Sequence, residues 1–119
     1  MEQLTDVRHM KGEELSHWLH KKGHDFAKLD KDWFWMQEAK KILQAELTLQ
    51  FEKNHGVTKA QSMARVDKKF KDHIEQMTDV LEKRNLAKVE YEEIQTEIRR
   101  RLNAQYAANQ EFRAGRTHA

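Results

Sequence analysis

The chain has 119 residues, of which 38% are hydrophobic and 35% charged, and its formal net charge is +2. This balance predicts one domain with a narrow apolar seam and disfavours a compact multilayer fold. The absence of proline, with only four glycines, is typical of an all-α chain with few turns, and the absence of cysteine excludes disulfides and thiol chemistry. No apolar run is long enough for a signal peptide or a membrane span, so we expect a cytoplasmic location.

The N-terminal part, residues 1–30, is expected to contain one short helix and a connector. The helix is predicted from Gly12 or Glu13 to Lys22, because acidic residues lie in its first turn, lysines lie in its last turn and Gly23 follows directly. Its apolar residues form a small stripe that needs a covering element: Leu15, Trp18 and Leu19.

The second predicted helix spans residues 31–54 and is capped by Asp30 or Asp32. Its seam is Trp33, Met36, Ala39, Leu43, Leu47 and Phe51, with Ile42 and Leu49 widening the same face. A short turn around Gly56 follows, and Thr58 and Gln61 have the spacing of a capping box. So short a turn predicts an antiparallel helical hairpin over residues 31–119, with arms of about 31–54 and 58–113.

The second arm is predicted to be one very long helix, because residues 58–113 contain no glycine or proline. Its apolar positions step by three and four residues, as in a coiled coil. Nine of these eleven positions are apolar: Met63, Val66, Phe70, His73, Met77, Val80, Arg84, Ala87, Tyr91, Ile94 and Ile98. Such a helix would be about 80 Å long. The alternative is a break at Asp67, which could cap a new helix.

The distal seam is expected to bind a partner. The first predicted arm is too short to cover the second arm beyond about Leu81, unless the N-terminal stripe reaches it. Exposed apolar stripes of several hundred Å² are rare on monomers, so we expect a homodimer or another protein partner. The partner-binding residues predicted on this basis, with two exposed or interfacial tryptophans, are Trp18, Trp35, Tyr91, Ile94, Ile98, Leu102 and Tyr106.

Two other groups of side chains suggest ligands, and each has a simpler interpretation. The spacing of His17, His20 and His24 is compatible with a divalent metal site, but a helix end at Gly23 favours three exposed histidines and no cofactor. The consecutive aromatics at 33–35 could stack on nucleobases, although a packing role for Trp33 and an interface role for Trp35 are favoured.

The C-terminal end is basic. Residues 99–119 contain five arginines and one acidic residue, Glu111, whereas residues 85–98 contain four glutamates and one lysine. The arginines could bind the phosphates of a nucleic acid, and this is the alternative function: Arg99, Arg100, Arg101, Arg113 and Arg116. A solubilising tail, or a device that sets the register of a dimer, is the favoured interpretation.

Residues 39–113 carry a pattern of short segments on an amphipathic arm, a turn and a long second arm: Ala45–Leu47, Gly56–Ala60, Met63–Asp67, Glu93–Ile94, Arg101, Asn109 and Arg113. In this pattern the chain resembles small helical-hairpin accessory proteins of bacteriophages and prophages, often encoded near recombination or other DNA-metabolism genes. The resemblance implies a phage-borne protein in the host cytoplasm that acts by binding. Its partner would be a phage recombination factor or a host defence nuclease, with inhibition as one mode of action.

No nucleophile elbow, phosphate-binding loop or metalloprotease motif is present, and the scattered carboxylates have no feature that would raise their pKa. The sequence therefore predicts a non-enzymatic, all-α interaction protein.

Overall fold

A computed structural model describes the backbone of residues 4–118 and the side chains of residues 4–115. Three α-helices follow one another, α1 (Gly12–Glu52), α2 (Val57–Val66) and α3 (Lys68–His118), after a single turn of 3₁₀ helix at Val7–His9. The described residues contain no strand, so the predicted all-α class is confirmed. Within the same residues, no helix is both long and apolar enough to cross a membrane.

The predicted helix end at Gly23 is wrong, because α1 continues through this residue without interruption. Gly23 does not adopt the positive φ of a helix-terminating glycine. A Cβ atom at this position would lie only 2.9 Å from Cε2 of Tyr91 on α3. The glycine therefore makes room for an aromatic ring against the backbone of α1. As a result, the separate short helix, the connector and the arm beginning at residue 31 are replaced by one helix of 41 residues.

The long second arm is also wrong as one helix, and the alternative break at Asp67 is confirmed. Asp67 lies between α2 and α3 in extended backbone geometry, and its Oδ1 accepts a hydrogen bond from the backbone N–H of Lys69 at 2.8 Å. This is the N-cap interaction that starts a new helix. The predicted capping box at Thr58 is absent, since α2 begins at Val57 after Gly56 without a side-chain cap.

The chain divides into two compact units, residues 25–86 and residues 1–24 with 87–119. In the first, here called the middle unit, the core forms around Leu47 of α1, Ala64 of α2 and Phe70 of α3. Partly buried apolar side chains complete it: Leu43, Phe51 and Ile74. His73 Nε2 lies 2.9 Å from the backbone oxygen of Met36, so this polar seam position bonds to the backbone of α1.

In the second, here called the terminal unit, the core forms around Met10, Leu15 and Ile94. Five partly buried apolar side chains pack against this cluster: Leu4, Val7, Trp18, Leu19 and Ile98. Residues before α1 and in its first turns therefore cover α3 at Ile94 and partly at Ile98, so the distal seam is covered within the chain only as far as these two residues.

The predicted seam of the second arm is confirmed as buried at Phe70, Met77, Ala87 and Ile94. Val66 is exposed, because α2 ends there and α3 starts with a new phase. On α1, Leu47 is buried as predicted, but three positions assigned to its seam are exposed: Ala39, Ile42 and Leu49. The buried face of this helix is narrower than its apolar composition suggests.

Candidate partner-binding surface

A row of apolar side chains runs along α3 at positions 98, 102 and 106, each four residues after the last and hence on one side of the helix. We call Ile98, Leu102 and Tyr106 the C-terminal stripe. Ile98 is partly buried, whereas Leu102 is 59% and Tyr106 66% exposed. Every described side chain from position 102 to position 115 is exposed. The apolar face of α3 at this end is therefore exposed.

An open groove of about 320 Å³ lies beside the C-terminal stripe, between the start of α1 and α3. Leu15 and Leu19 line it from α1, and Ile98 and Leu102 line it from α3. Apolar concave surfaces of this kind are where proteins seat apolar side chains of their ligands. The groove extends the stripe onto a second helix.

Arg101 attaches the residues before α1 to α3. Its Nη2 donates to the backbone oxygen of Met10 at 2.6 Å, and longer bonds reach the oxygens of Val7 and Arg8 at 3.3 and 3.4 Å. Its Nε donates to Oε1 of Glu97 at 2.9 Å. The carboxylate thus orients a guanidinium that binds three backbone acceptors in and next to the 3₁₀ turn, and Arg101 has a structural role here.

Glu97 binds a second guanidinium as well. Arg100 donates from Nε and Nη2 to the two carboxylate oxygens at 3.0 and 2.7 Å, which is a bidentate pair. These hydrogen bonds from Arg100 and then Arg101 lower the pKa of Glu97 to about 2. Glu97 is only 4% exposed, so both guanidiniums pair with a buried carboxylate.

A buried ion pair was not predicted. Lys22 is 1% exposed, and its Nζ lies 2.8 Å from Oε2 of Glu90 and over the ring of Trp18 at 5.5 Å from the ring centroid. Lysine is rarely buried without such partners, because removing an ammonium from water is costly. The four-residue spacing of Trp18 and Lys22 places both side chains on one side of a helix and could have indicated this contact. The predicted helix ended at Lys22, however, so the lysine was interpreted as an exposed residue of the last turn.

The predicted partner-binding residues divide into covered and exposed groups. Ile94 is fully buried inside the chain, so its assignment to a partner surface is wrong in this structure. Tyr91 and Trp18 are half-buried, the first against Gly23 and the second beside Lys21 and Lys22. The remaining predicted positions on α3 form the C-terminal stripe.

Trp35 belongs to the middle unit. It is more than half exposed and shares one side of α1 with Ile42 and Leu49, at intervals of seven residues. Phe34 contacts Trp35 edge to face, with ring centroids 5.6 Å apart. The sequence analysis assigned Ile42 and Leu49 to the buried seam, and it therefore did not predict the exposed apolar row of Trp35, Ile42 and Leu49.

The other predicted ligand groups are dispersed. Among the residues that the structure describes, no three His, Cys, Asp or Glu side chains come close enough to hold a metal ion, and His17, His20 and His24 do not form such a group. Of the five arginines, Arg99, Arg100 and Arg113 are exposed, Arg101 is partly buried, and the side chain of Arg116 lies outside the described residues.

Comparison of the chain with protein-family models, with characterised proteins and with solved structures finds no match in any of the three.

Proposed function

We propose that this chain is a non-enzymatic helical interaction protein that binds a protein partner through the C-terminal stripe. The supporting observation is the exposure of Leu102 and Tyr106 next to an apolar groove at the end of a helix whose last described side chains are all exposed. Tyrosine and leucine in such a position bury apolar surface when a partner binds, and helix faces of this type bind amphipathic helices.

We also infer that α1 and α3 pair as an antiparallel helical hairpin within each unit. In the terminal unit, Leu15 shares a cluster with Ile94, and Lys22 contacts Glu90. In the middle unit, Arg84 donates to Asp30 at 2.6 Å, and His73 contacts the backbone of Met36. Rising residue numbers on α1 meet falling numbers on α3 in both sets, which supports opposite helix directions.

The identity of the partner is a proposal that follows from the resemblance to phage accessory proteins. On that basis the partner is a phage recombination or DNA-metabolism factor, or a host defence nuclease that the chain inhibits. A second copy of the chain is the first partner to test, since the C-terminal stripe is self-complementary in its apolar character.

The test replaces one side chain of the stripe by a carboxylate in the full chain. In Tyr106→Asp and Leu102→Asp, a charge would be buried without a counter-ion at the interface, so we expect partner affinity to fall at least a hundredfold. Self-association is measured by sedimentation equilibrium, and a foreign partner by co-purification from a bacterial host with mass spectrometry.

Leu86→Asp is the matched control, because Leu86 is an exposed apolar residue of α3 that belongs to the middle unit and not to the stripe. It should bind like the parent chain. A parent chain that is monomeric at tens of micromolar and recovers no stoichiometric protein would count against the proposal, as would equal loss in all three variants.

Nucleic-acid binding is the alternative function, and the geometry leaves it fewer cations than the sequence offered. Arg100 and Arg101 share the single carboxylate of Glu97, which offsets one of their two positive charges, and Arg99 has no such pair among the salt bridges of this cluster. If the alternative holds, DNA affinity falls steeply with salt, and Arg99→Gln reduces that slope. Undetectable binding at low ionic strength removes it.

A further inference from the structure

The residues before α1 sit on α3 through a regular apolar pattern. Leu4, Val7 and Met10 are three residues apart, and all three pack on the cluster that contains Ile94. The 3₁₀ turn at Val7–His9 accounts for the spacing of Val7 and Met10, because residues three apart share one side of such a helix. We call residues 4–11 the N-terminal segment and their binding place on α3 the seat.

The seat recognises the backbone of this segment and few of its polar side chains. Within this segment Arg101 donates only to backbone oxygens, those of Val7, Arg8 and Met10. The polar residues of the segment are exposed, and Asp6 bonds locally to Arg8. Backbone acceptors are common to every peptide, so selectivity in the seat comes from the apolar residues at every third position.

The seat is continuous with the proposed partner surface. Ile98 contacts the core that the segment covers, and it also lines the groove with Leu102. Arg101 likewise contacts the segment and lines the groove. A partner that follows the C-terminal stripe toward Ile94 therefore meets the segment.

We propose that the seat is a docking site for a peptide segment with apolar residues at positions i, i+3 and i+6, and that the N-terminal segment occupies it until such a segment of a partner displaces it. This inference rests on the proposed function and adds the chemistry of the partner. The chemistry expected of the partner's segment is taken from the N-terminal segment, which occupies the seat in the structure with Leu4, Val7 and Met10.

The first experiment uses a synthetic peptide of residues 4–11 and the full chain carrying Met10→Asp. The aspartate weakens the attachment of the chain's own segment, because Met10 is buried, and it leaves Ile94, Ile98 and Arg101 unchanged. NMR titration should then show the peptide shifting the methyl signals of these two isoleucines and the Nε–H signal of Arg101. The parent chain should need at least tenfold more peptide, since its own segment competes at a high effective concentration.

A peptide with the Met10→Asp change is the control and should cause no shift. No shift in the Met10→Asp chain at millimolar parent peptide would overturn the proposal, as would equal affinity for the parent and variant chains. If the Met10→Asp chain does not fold, as judged by circular dichroism, Val7→Asp takes its place.

The second experiment compares Arg101→Gln with Arg100→Gln in the full chain. Both variants remove a guanidinium from Glu97, but only Arg101 bonds to the segment. Amide hydrogen exchange of His9 and Met10 should accelerate about tenfold or more in Arg101→Gln, because this variant loses one or two net hydrogen bonds to the segment. In Arg100→Gln the exchange of these two amides should stay unchanged.

Equal acceleration in both variants, or none in Arg101→Gln, would show that Arg101 does not hold the segment. Neither experiment contains a partner protein. Failure of peptide exchange is therefore a separate result from failure of Tyr106→Asp to affect partner binding.

Discussion

Replacing Gly23 by alanine sets two effects of similar size against each other. Alanine in the middle of a helix is about 1 kcal/mol more favourable than glycine, so an unobstructed site would be stabilised. Here the new Cβ would lie 2.9 Å from Cε2 and 3.4 Å from Cδ2 of Tyr91. Carbon atoms are in favourable contact at about 3.5–4.0 Å, so the ring must move by about half an ångström or more.

Overpacking of this kind costs about 1–3 kcal/mol. We therefore expect Gly23→Ala to lower the free energy of unfolding by about 0–2 kcal/mol. In a Tyr91→Leu background the ring is absent, and Gly23→Ala should raise the free energy of unfolding by up to about 1 kcal/mol. The two effects define a coupling energy of about 1–3 kcal/mol between positions 23 and 91.

Urea unfolding followed by circular dichroism measures all four members of this cycle. Gly115→Ala is the control for propensity alone, because no atom lies within 4 Å of a Cβ at that position. Stabilisation by Gly23→Ala of the same size in both backgrounds would refute the role of Gly23 as space for the ring.

Three further predictions concern polar groups. Lys22→Met should lower the free energy of unfolding by about 3 kcal/mol, because it strands Glu90, and adding Glu90→Leu should restore most of it; urea unfolding that shows no recovery would contradict the buried pair. Asp67→Ala should cost about 1 kcal/mol in the same assay and Asp67→Ser much less, since serine also caps a helix. The pKa of Glu97 is lowered from its ordinary value of 4.5 to about 2, so its ionised form stabilises the fold above pH 4.5 and this stabilisation disappears as the pH falls toward 2. The difference in stability between the parent chain and Glu97→Gln should therefore be constant near neutral pH and shrink over that acidic range.

The helical class and much of the buried seam could be predicted from the sequence. Stepping by three and four residues identified Phe70, Met77 and Ile94, because that period depends only on helix geometry. The same rule failed at Val66, where Asp67 interrupts the phase. A single aspartate can cap a helix or lie on its exposed face, and the choice depends on the packing of α2 against the rest of the middle unit.

The end of the N-terminal helix could not be predicted, because glycine has two uses. It terminates helices through positive φ, and it also allows close approach of another group. Which use applies to Gly23 is decided by Tyr91, 68 positions later in the sequence. The wrong assignment of Ile94 to a partner surface is linked to this error. In the structure Leu15 of the continuous α1, together with Met10, packs against Ile94 and buries it.

The buried pair of Lys22 and Glu90 has a further consequence for the alignment of α1 with α3. A seam with a seven-residue repeat matches itself again after a slip of one heptad, so apolar contacts alone leave several alignments close in energy. One such slip would bring Lys22 toward Lys83, which repels it. The opposite slip would bring it toward Glu97, whose carboxylate already binds Arg100 and Arg101. We therefore expect the ion pair of Lys22 with Glu90 to fix the register of α1 against α3, because the other alignments of the repeat lose this pair.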